Sequence, residues 1–239
     1  MIKLFGPMTR LDLVPRAEFQ DYYVNQHTKV GGNMPRMLKY VGSPALQSGN
    51  GDDPAFDAVM EGWWPDVDSV RNDFVTPEWN TARTDHPAVV SGRFMWLAEE
   101  HEIQNVPDDA DPVKYLAFLN RADGQSRQEF ELYWLERHVP LVLKTPGLLG
   151  YRASVSIGSA NGDSLAKDVL DDAPFDGVAE VWFESLAAFS RSFRDPYWNQ
   201  IRSDYYQNFA MNRIQVVVKE HVIFDRTKDQ VIDTRSVTT

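Results

Sequence analysis

The sequence predicts an α+β chain built as two tandem units, each running β-α-β-β-α-β and packed sheet to sheet. Three observations carry that prediction. First, the chain repeats itself. KLFGPMTRLDLVPRAEFQDYYVNQH from Lys3 aligns without a gap on KYLAFLNRADGQSRQEFELYWLERH from Lys114. FDAVMEGWWPDVDSVRNDFVTPEWNTARTD from Phe56 aligns on FDGVAEVWFESLAAFSRSFRDPYWNQIRSD from Phe175, and about a third of the positions in each block are identical. A repeat of roughly 110 residues is a small domain rather than a solenoid unit. Second, the hydrophobic pattern within each copy gives the ferredoxin-like order of elements. Third, a sheet covered by helices on one side keeps its other apolar face bare until something covers it, and the second copy is at hand. The predicted units are residues 1–106 and 112–226, joined by the acid- and proline-rich VPDDADP, with 227–239 as a polar tail.

The elements follow in order. Ile2 to Pro7 is a short apolar run that reads as a strand. Pro15 suits the first turn of a helix, and Ser126 with Glu129 three residues later forms a capping-box pattern at the same place in the second copy. Phe19, Tyr22, Tyr23 and His27, matched by Phe130, Tyr133, Trp134 and His138, share one broad helical face, so the histidines point inward with the aromatics. A second strand carries Tyr40 or Tyr151. Polar Gly/Asn/Asp loops follow, then alternating strands at 56–64 and 175–183. Helices are predicted over 66–74 and 186–193, a helical turn over 77–85, and a final strand over 93–103 and 213–224.

Composition excludes several classes of function. A net charge of -11 opposes nucleic-acid binding and anionic membrane surfaces. The absence of cysteine removes disulfides and thiolate chemistry and fits a reducing compartment. No apolar run reaches the ~20 residues of a membrane span, and the N-terminus does not read as a signal peptide. The expectation is a cytoplasmic protein whose partner is a small, aromatic or apolar molecule. There is no glycine-rich phosphate loop, no dinucleotide fingerprint, no HExxH and no GxSxG, so neither cofactor nor metal is expected.

A helix ending in Y-W-x-E-R-H-x-P-L, then T-P-G-L-x-G-Y, F-D-G-V-A-E-V-W-F and F-x-D-P-Y-W, resembles the EthD family of the dimeric α+β barrel superfamily. The match covers nearly all of the second unit and, more loosely, the first. The resemblance implies an intrachain barrel, a dimer fused into one chain, which leaves room for a further homodimer of that pseudo-dimer. It implies muconolactone isomerase-, cyclase-, dehydratase- or decarboxylase-like chemistry, cofactor-free oxygenation or, in related branches, haem binding.

Four of the five histidines pair across the repeat. His27 and His138 lie on inward helical faces, and imidazole moves protons near neutrality. Tyr40 and Tyr151 lie thirteen residues further on, where a phenol could stabilise an oxyanion. The expected catalytic residues are therefore His138 with Tyr151 and His27 with Tyr40, in a cofactor-independent lyase or isomerase. The second copy fits the family pattern better, because His27 is followed by Thr-Lys-Val-Gly-Gly-Asn, whose glycines either widen the first cavity or mark its decay. The alternatives are a cofactor-free or haem-dependent oxygenase, and a non-catalytic binding pseudo-dimer. His101 and His221 read as structural strand residues and His86 as a loop residue. The matched pairs Asp85/Asp204, Arg83/Arg202 and Arg10/Arg121 read as folding charges.

Overall fold

The structure is a computed structural model that describes residues 1–85, 90–167 and 169–227. In the first half, strand β1 (Ile2–Arg10) leads to helix α1 (Arg16–Tyr22), a π-helical turn (Tyr23–His27) and the short α2 (Thr28–Gly31). Then come β2 (Lys39–Ser48), β3 (Ala58–Trp64), α3 (Val67–Asp73), α4 (Pro77–Thr84), β4 (Val90–Arg93) and β5 (Trp96–Gln104). The second half repeats the order: β6 (Val113–Leu119), α5 (Arg127–Tyr133), a π-helical turn (Trp134–His138), α6 (Val139–Val142), β7 (Leu148–Ser159), β8 (Gly177–Phe183), α7 (Leu186–Phe193), α8 (Trp198–Asn208), β9 (Ile214–Val218) and β10 (His221–Asp225). Helix starts obey local rules. Asp66, Thr76 and Ser185 each accept a backbone N–H, and Ser126 with Glu129 makes the full capping box.

The ten strands of the described residues belong to one antiparallel sheet: nine follow the order β10-β2-β3-β1-β5-β7-β8-β6-β9, β4 pairs onto β1, and β9 pairs back onto β2. Eight strands thus close into a barrel, and the halves meet through ladders at β5–β7 and β2–β9 as well as through side chains. Closure removes the exposed edges that two open sheets would carry. Alternation along the strands then separates three cores. Phe5, Val59, Trp96, Leu116, Phe118 and Val216 fill the barrel from both halves. Leu4, Tyr40, Met60 and Trp64 pack under the first half's helices, and Tyr115, Tyr151, Val181 and Phe183 under those of the second.

The last strand of each half departs from expectation. In the first, 90–93 form a separate strand folded onto β1, and β5 starts only at Trp96. In the second, the predicted single strand over 213–224 breaks between Val218 and His221. The facing strand supplies the reason. The Lys219 N–H donates to the Pro44 carbonyl at 3.1 Å, but Pro44 has no N–H to return. Val155 stands at the matching place opposite β5, whose ladder is not broken there. The segment 228–239, nearly all of the expected tail, lies outside the described residues, as does His86.

Inside the barrel is a cluster that sequence reading passed over. Lys3 Nζ lies 2.8 Å from Glu61, 2.5 Å from Glu180 and 2.9 Å from Glu100. Lys114 Nζ lies 2.6 Å from Glu61, 3.1 Å from Glu180 and 2.7 Å from Glu220. Each half thus provides one lysine and one glutamate that are fully enclosed. Burial alone would push the Glu180 carboxyl up, but Lys3 and Lys114 hold it well below the usual carboxylate range. Among the described residues, no helix is long and apolar enough to cross a membrane.

Candidate functional site

Each half carries a small constellation between its helices and the outer face of the barrel. The π-helical turn sets the histidine. In the first half the Thr28 hydroxyl donates to the Val24 carbonyl at 2.7 Å, and in the second Pro140 cannot donate backward at all. Both features loosen the regular ladder just past the histidine, which ends each π turn.

His27 is 3% exposed and its Nδ1 lies 3.1 Å from Asp85 Oδ2. The Tyr22 hydroxyl donates to the same carboxylate at 2.5 Å. In the second half His138 Nδ1 meets Asp204 Oδ2 at 2.6 Å, and the Tyr133 hydroxyl donates to Asp204 Oδ1 at 2.5 Å. Donation from Nδ1 to a carboxylate puts the basic lone pair on Nε2. Burial lowers the His27 pKa from its ordinary value, Asp85 opposes that, and Arg93 adds to it. The Tyr133 phenol is pushed up to about 12, chiefly by burial and then by Asp204. Asp204 is raised by burial, but its bonds to His138 and Tyr133 bring it below the ordinary value. The reading of Asp85 and Asp204 as folding charges is therefore corrected: each is the histidine's partner. Their recurrence at one offset in the repeat was the available signal. Arg10 and Arg121 do serve the fold, pairing with Asp57 and Asp176 at 2.9 Å each.

The tyrosines sit at equivalent places but differ in state. His27 and Tyr40 line one cavity, and His138 and Tyr151 line another. The Tyr151 hydroxyl accepts from Trp134 Nε1 at 3.0 Å. Tyr40 is fully buried and its hydroxyl has no hydrogen-bond partner among the described residues. Burial raises both phenols far above their ordinary pKa, so each stays protonated and able to donate.

The cavities are alike in size and differ in lining. The first encloses about 20 Å³, room for about one water, so a larger ligand must displace the methionines that wall it, Met8, Met34, Met37, Met60 and Met95. The second encloses about 30 Å³. Gly6, Gly31 and Ala82 line the first where the repeat places Ala117, Val142 and Ile201 in the second. Tyr115 and Tyr205 reach into the second as well. A Cβ at Gly31 would stand 2.7 Å from the Tyr40 hydroxyl oxygen, so the glycine is what lets the phenol sit where it does.

Within the described residues, His101 and His221 gather no comparable set: His101 Nε2 is buried without a hydrogen-bond partner there, and His221 is exposed on β10. Among the described residues, no group of three or more His, Asp or Glu side chains is placed to hold a metal ion.

The EthD domain family model matches residues 13–92 and 122–212. Among solved structures, an anthrone oxidase-like protein aligns with a TM-score of 0.68 at 10% identity, covering 94% of each chain. A candidate monooxygenase from Fusobacterium nucleatum aligns with a TM-score of 0.55 at 9% identity, covering 92% of each chain. An EthD-family protein from Bacillus halodurans covers 48% of this chain and 98% of its own, at 18% identity and a TM-score of 0.35. No curated protein matches the sequence.

Proposed function

This chain belongs to the EthD family, and we propose that its first half is a cofactor-independent lyase or isomerase site that removes a proton from a flat, apolar small molecule beside a carbonyl or phenol. One observation carries the reading: Tyr40 presents a buried hydroxyl, unpartnered among the described residues, in the same methionine-walled cavity as His27, which Asp85 holds. An orphaned buried hydroxyl is unfavourable unless a ligand completes it. The apolar wall is plastic and polarisable, which suits an aromatic, polyketide-like or lactone body.

In this mechanism His27 Nε2 takes the carbon-bound proton as general base. Asp85 holds the imidazole's tautomer through Nδ1 and stabilises the imidazolium that forms. Tyr40 donates to the oxygen on which charge develops. His27 then returns the proton to another carbon, which isomerises the molecule, or to a departing hydroxyl, which dehydrates it. His138 and Tyr151 keep the matching arrangement, but Trp134 already donates to Tyr151 and the stiff side chains of Tyr115, Ile201 and Tyr205 wall their cavity, so their role in this reading is structural. A second reading passes the same carbanion to dioxygen. It is favoured by the full-length likeness to an anthrone oxidase-like protein.

The reading extends to the whole chain. It comprises two ferredoxin-like units over 1–106 and 112–226, acting on a small molecule in the cytoplasm without nucleic acid or membrane. The acidic charge and the lack of cysteine support that setting. The test is deuterium wash-in at the acidic carbon of phenolic and lactone carbon acids, followed by NMR in a sealed cell with an oxygen electrode. Exchange catalysed by the wild type and lost in His27→Ala supports the reading, and oxygen consumed in step with exchange selects the oxygenase. Equal exchange by the folded variant would end it.

A further inference from the structure

The mouth of the first cavity is basic, in a chain whose net charge is -11. The cavity opens into a surface groove through shared walls at Phe74, Trp79, Arg93 and Met95. Arg71, Arg83 and Lys167 line the groove with Arg93, and among the described residues no carboxylate lines it. Two of the four cations are already matched: Arg71 pairs with Asp68 at 2.8 Å, and Lys167 with Asp171 at 2.7 Å. Arg83 and Arg93 have no ion pair among the described residues. Arg83 Nε reaches only the Asn80 amide oxygen at 2.8 Å, and an Arg93 guanidinium nitrogen reaches the Arg83 carbonyl at 3.4 Å.

Arg93 occupies a particular position. It is half-buried, lies over the Trp79 ring at 5.9 Å, and faces both the groove and the cavity that holds His27 and Tyr40. Two guanidinium groups placed together without a carboxylate repel each other, and burial removes water from one of them. Burial first and Arg83 second lower the Arg93 pKa. An anionic group arriving there would offset both the repulsion and the lost hydration. The second half shows the same residues put to another use. Arg213, in the place of Arg93, stacks on Tyr205 at 4.2 Å, and Arg202, in the place of Arg83, stacks on Phe193 at 4.9 Å. There the aromatic side chains take up the cationic faces.

We propose that the first cavity takes an amphipathic anion, with its flat apolar body among the methionines and a carboxylate-type group on Arg93, backed by Arg83. The proposal rests on the reading of the first cavity as the working site. Anchoring the acid at the mouth directs the far end of the body toward His27 and Tyr40. The guanidinium fork favours a planar or tetrahedral oxyanion over a neutral polar group.

Two dyes of one shape test this without a known substrate. 1-Anilinonaphthalene-8-sulfonate carries an anion, and N-phenyl-1-naphthylamine is the same body without it. The wild type should bind the sulfonate about tenfold or more tightly than the neutral dye. Arg93→Gln should abolish that preference and leave the neutral dye's affinity unchanged, and Arg83→Gln should reduce it by a smaller factor. Gly31→Val, which fills the cavity, should weaken both dyes. Equal affinity of the wild type for the two dyes, or a preference that survives Arg93→Gln or, should that variant not fold, is untouched by Arg83→Gln, overturns the proposal. So does sulfonate binding indifferent to Gly31→Val. Neither dye reacts, so equal affinity of the wild type for the two dyes with exchange activity intact removes only the anion proposal. An intact preference with a fully active His27→Ala removes only the catalytic reading.

Discussion

The two halves of this chain set the same residues on the same template and finish them differently. Both close a histidine, an aspartate and a tyrosine around a π-helical turn. In the second half Tyr115, Ile201 and Tyr205 line the space beyond, and Tyr151 is tied to Trp134. In the first, glycine, alanine and methionine line it, and Tyr40 has no hydrogen-bond partner among the described residues. After duplication, one copy can bond its polar groups to itself while the other keeps a plastic wall and the unsatisfied group that binding requires. The barrel interior did not diverge in this way, for each half still contributes one lysine and one glutamate to the central cluster.

The comparison breaks most visibly at the histidines. His27→Ala should lower exchange or turnover by about 10²–10⁴-fold, while His138→Ala, with folding checked by circular dichroism, should leave it close to wild type. The reverse result would move the working site to the second half.

The interior should answer symmetrically. Lys3→Met and Lys114→Met each strand buried carboxylates, and each should cost about 3–5 kcal/mol in urea unfolding. Strongly unequal values would show that the centre of the barrel has diverged as the cavities have.

The tyrosines sharpen the contrast, because their effects should separate. Tyr151→Phe leaves the Trp134 indole N–H unpartnered and should cost about 1–3 kcal/mol of stability with little effect on rate. Tyr40→Phe removes a hydroxyl that bonds nothing in the empty protein. It should be near neutral in unfolding yet slow turnover about 10²-fold.

The smallest effect is on pH. The base must be unprotonated, and burial lowers the His27 pKa from 6.5, so the acid limb of the rate profile should fall below 6.5. The same depression means that the unfolded chain binds the proton first as pH falls. Stability should therefore decline as pH drops below about 6.5, and His27→Gln should flatten that decline. An acid limb above 6.5 would show that Asp85 outweighs burial.

Much of the scaffold was legible from local signals. The repeat, Pro15 and the Ser126–Glu129 box marked where the helices begin, and helical spacing turned His27 and His138 inward. The carboxylate partners were not legible. Asp85 lies 58 residues beyond His27, and Asp204 lies 66 beyond His138, each in or beside a different helix. Read along the chain, a matched aspartate beside a matched arginine looks like surface charge. The interior cluster was hidden for the same reason, since Lys3 meets Glu180 across 177 residues. The break between Val218 and His221 was invisible because its cause, Pro44, lies on a strand of the other half.

The sequence by itself determined that this protein is a duplication, the order of its elements, and which face of each helix and strand turns inward. Those features follow from periods of 3.6 and two and from residues a few positions apart. Tertiary structure alone decided which ladders close the barrel, which carboxylate orients each histidine, and which of two equivalent tyrosines is left to meet a ligand. Closure and pairing depend on residues brought together from distant parts of the chain. The lining of each cavity depends on side chains from several elements, where Gly31 against Val142 and Ala82 against Ile201 matter only once the helices are packed on the sheet.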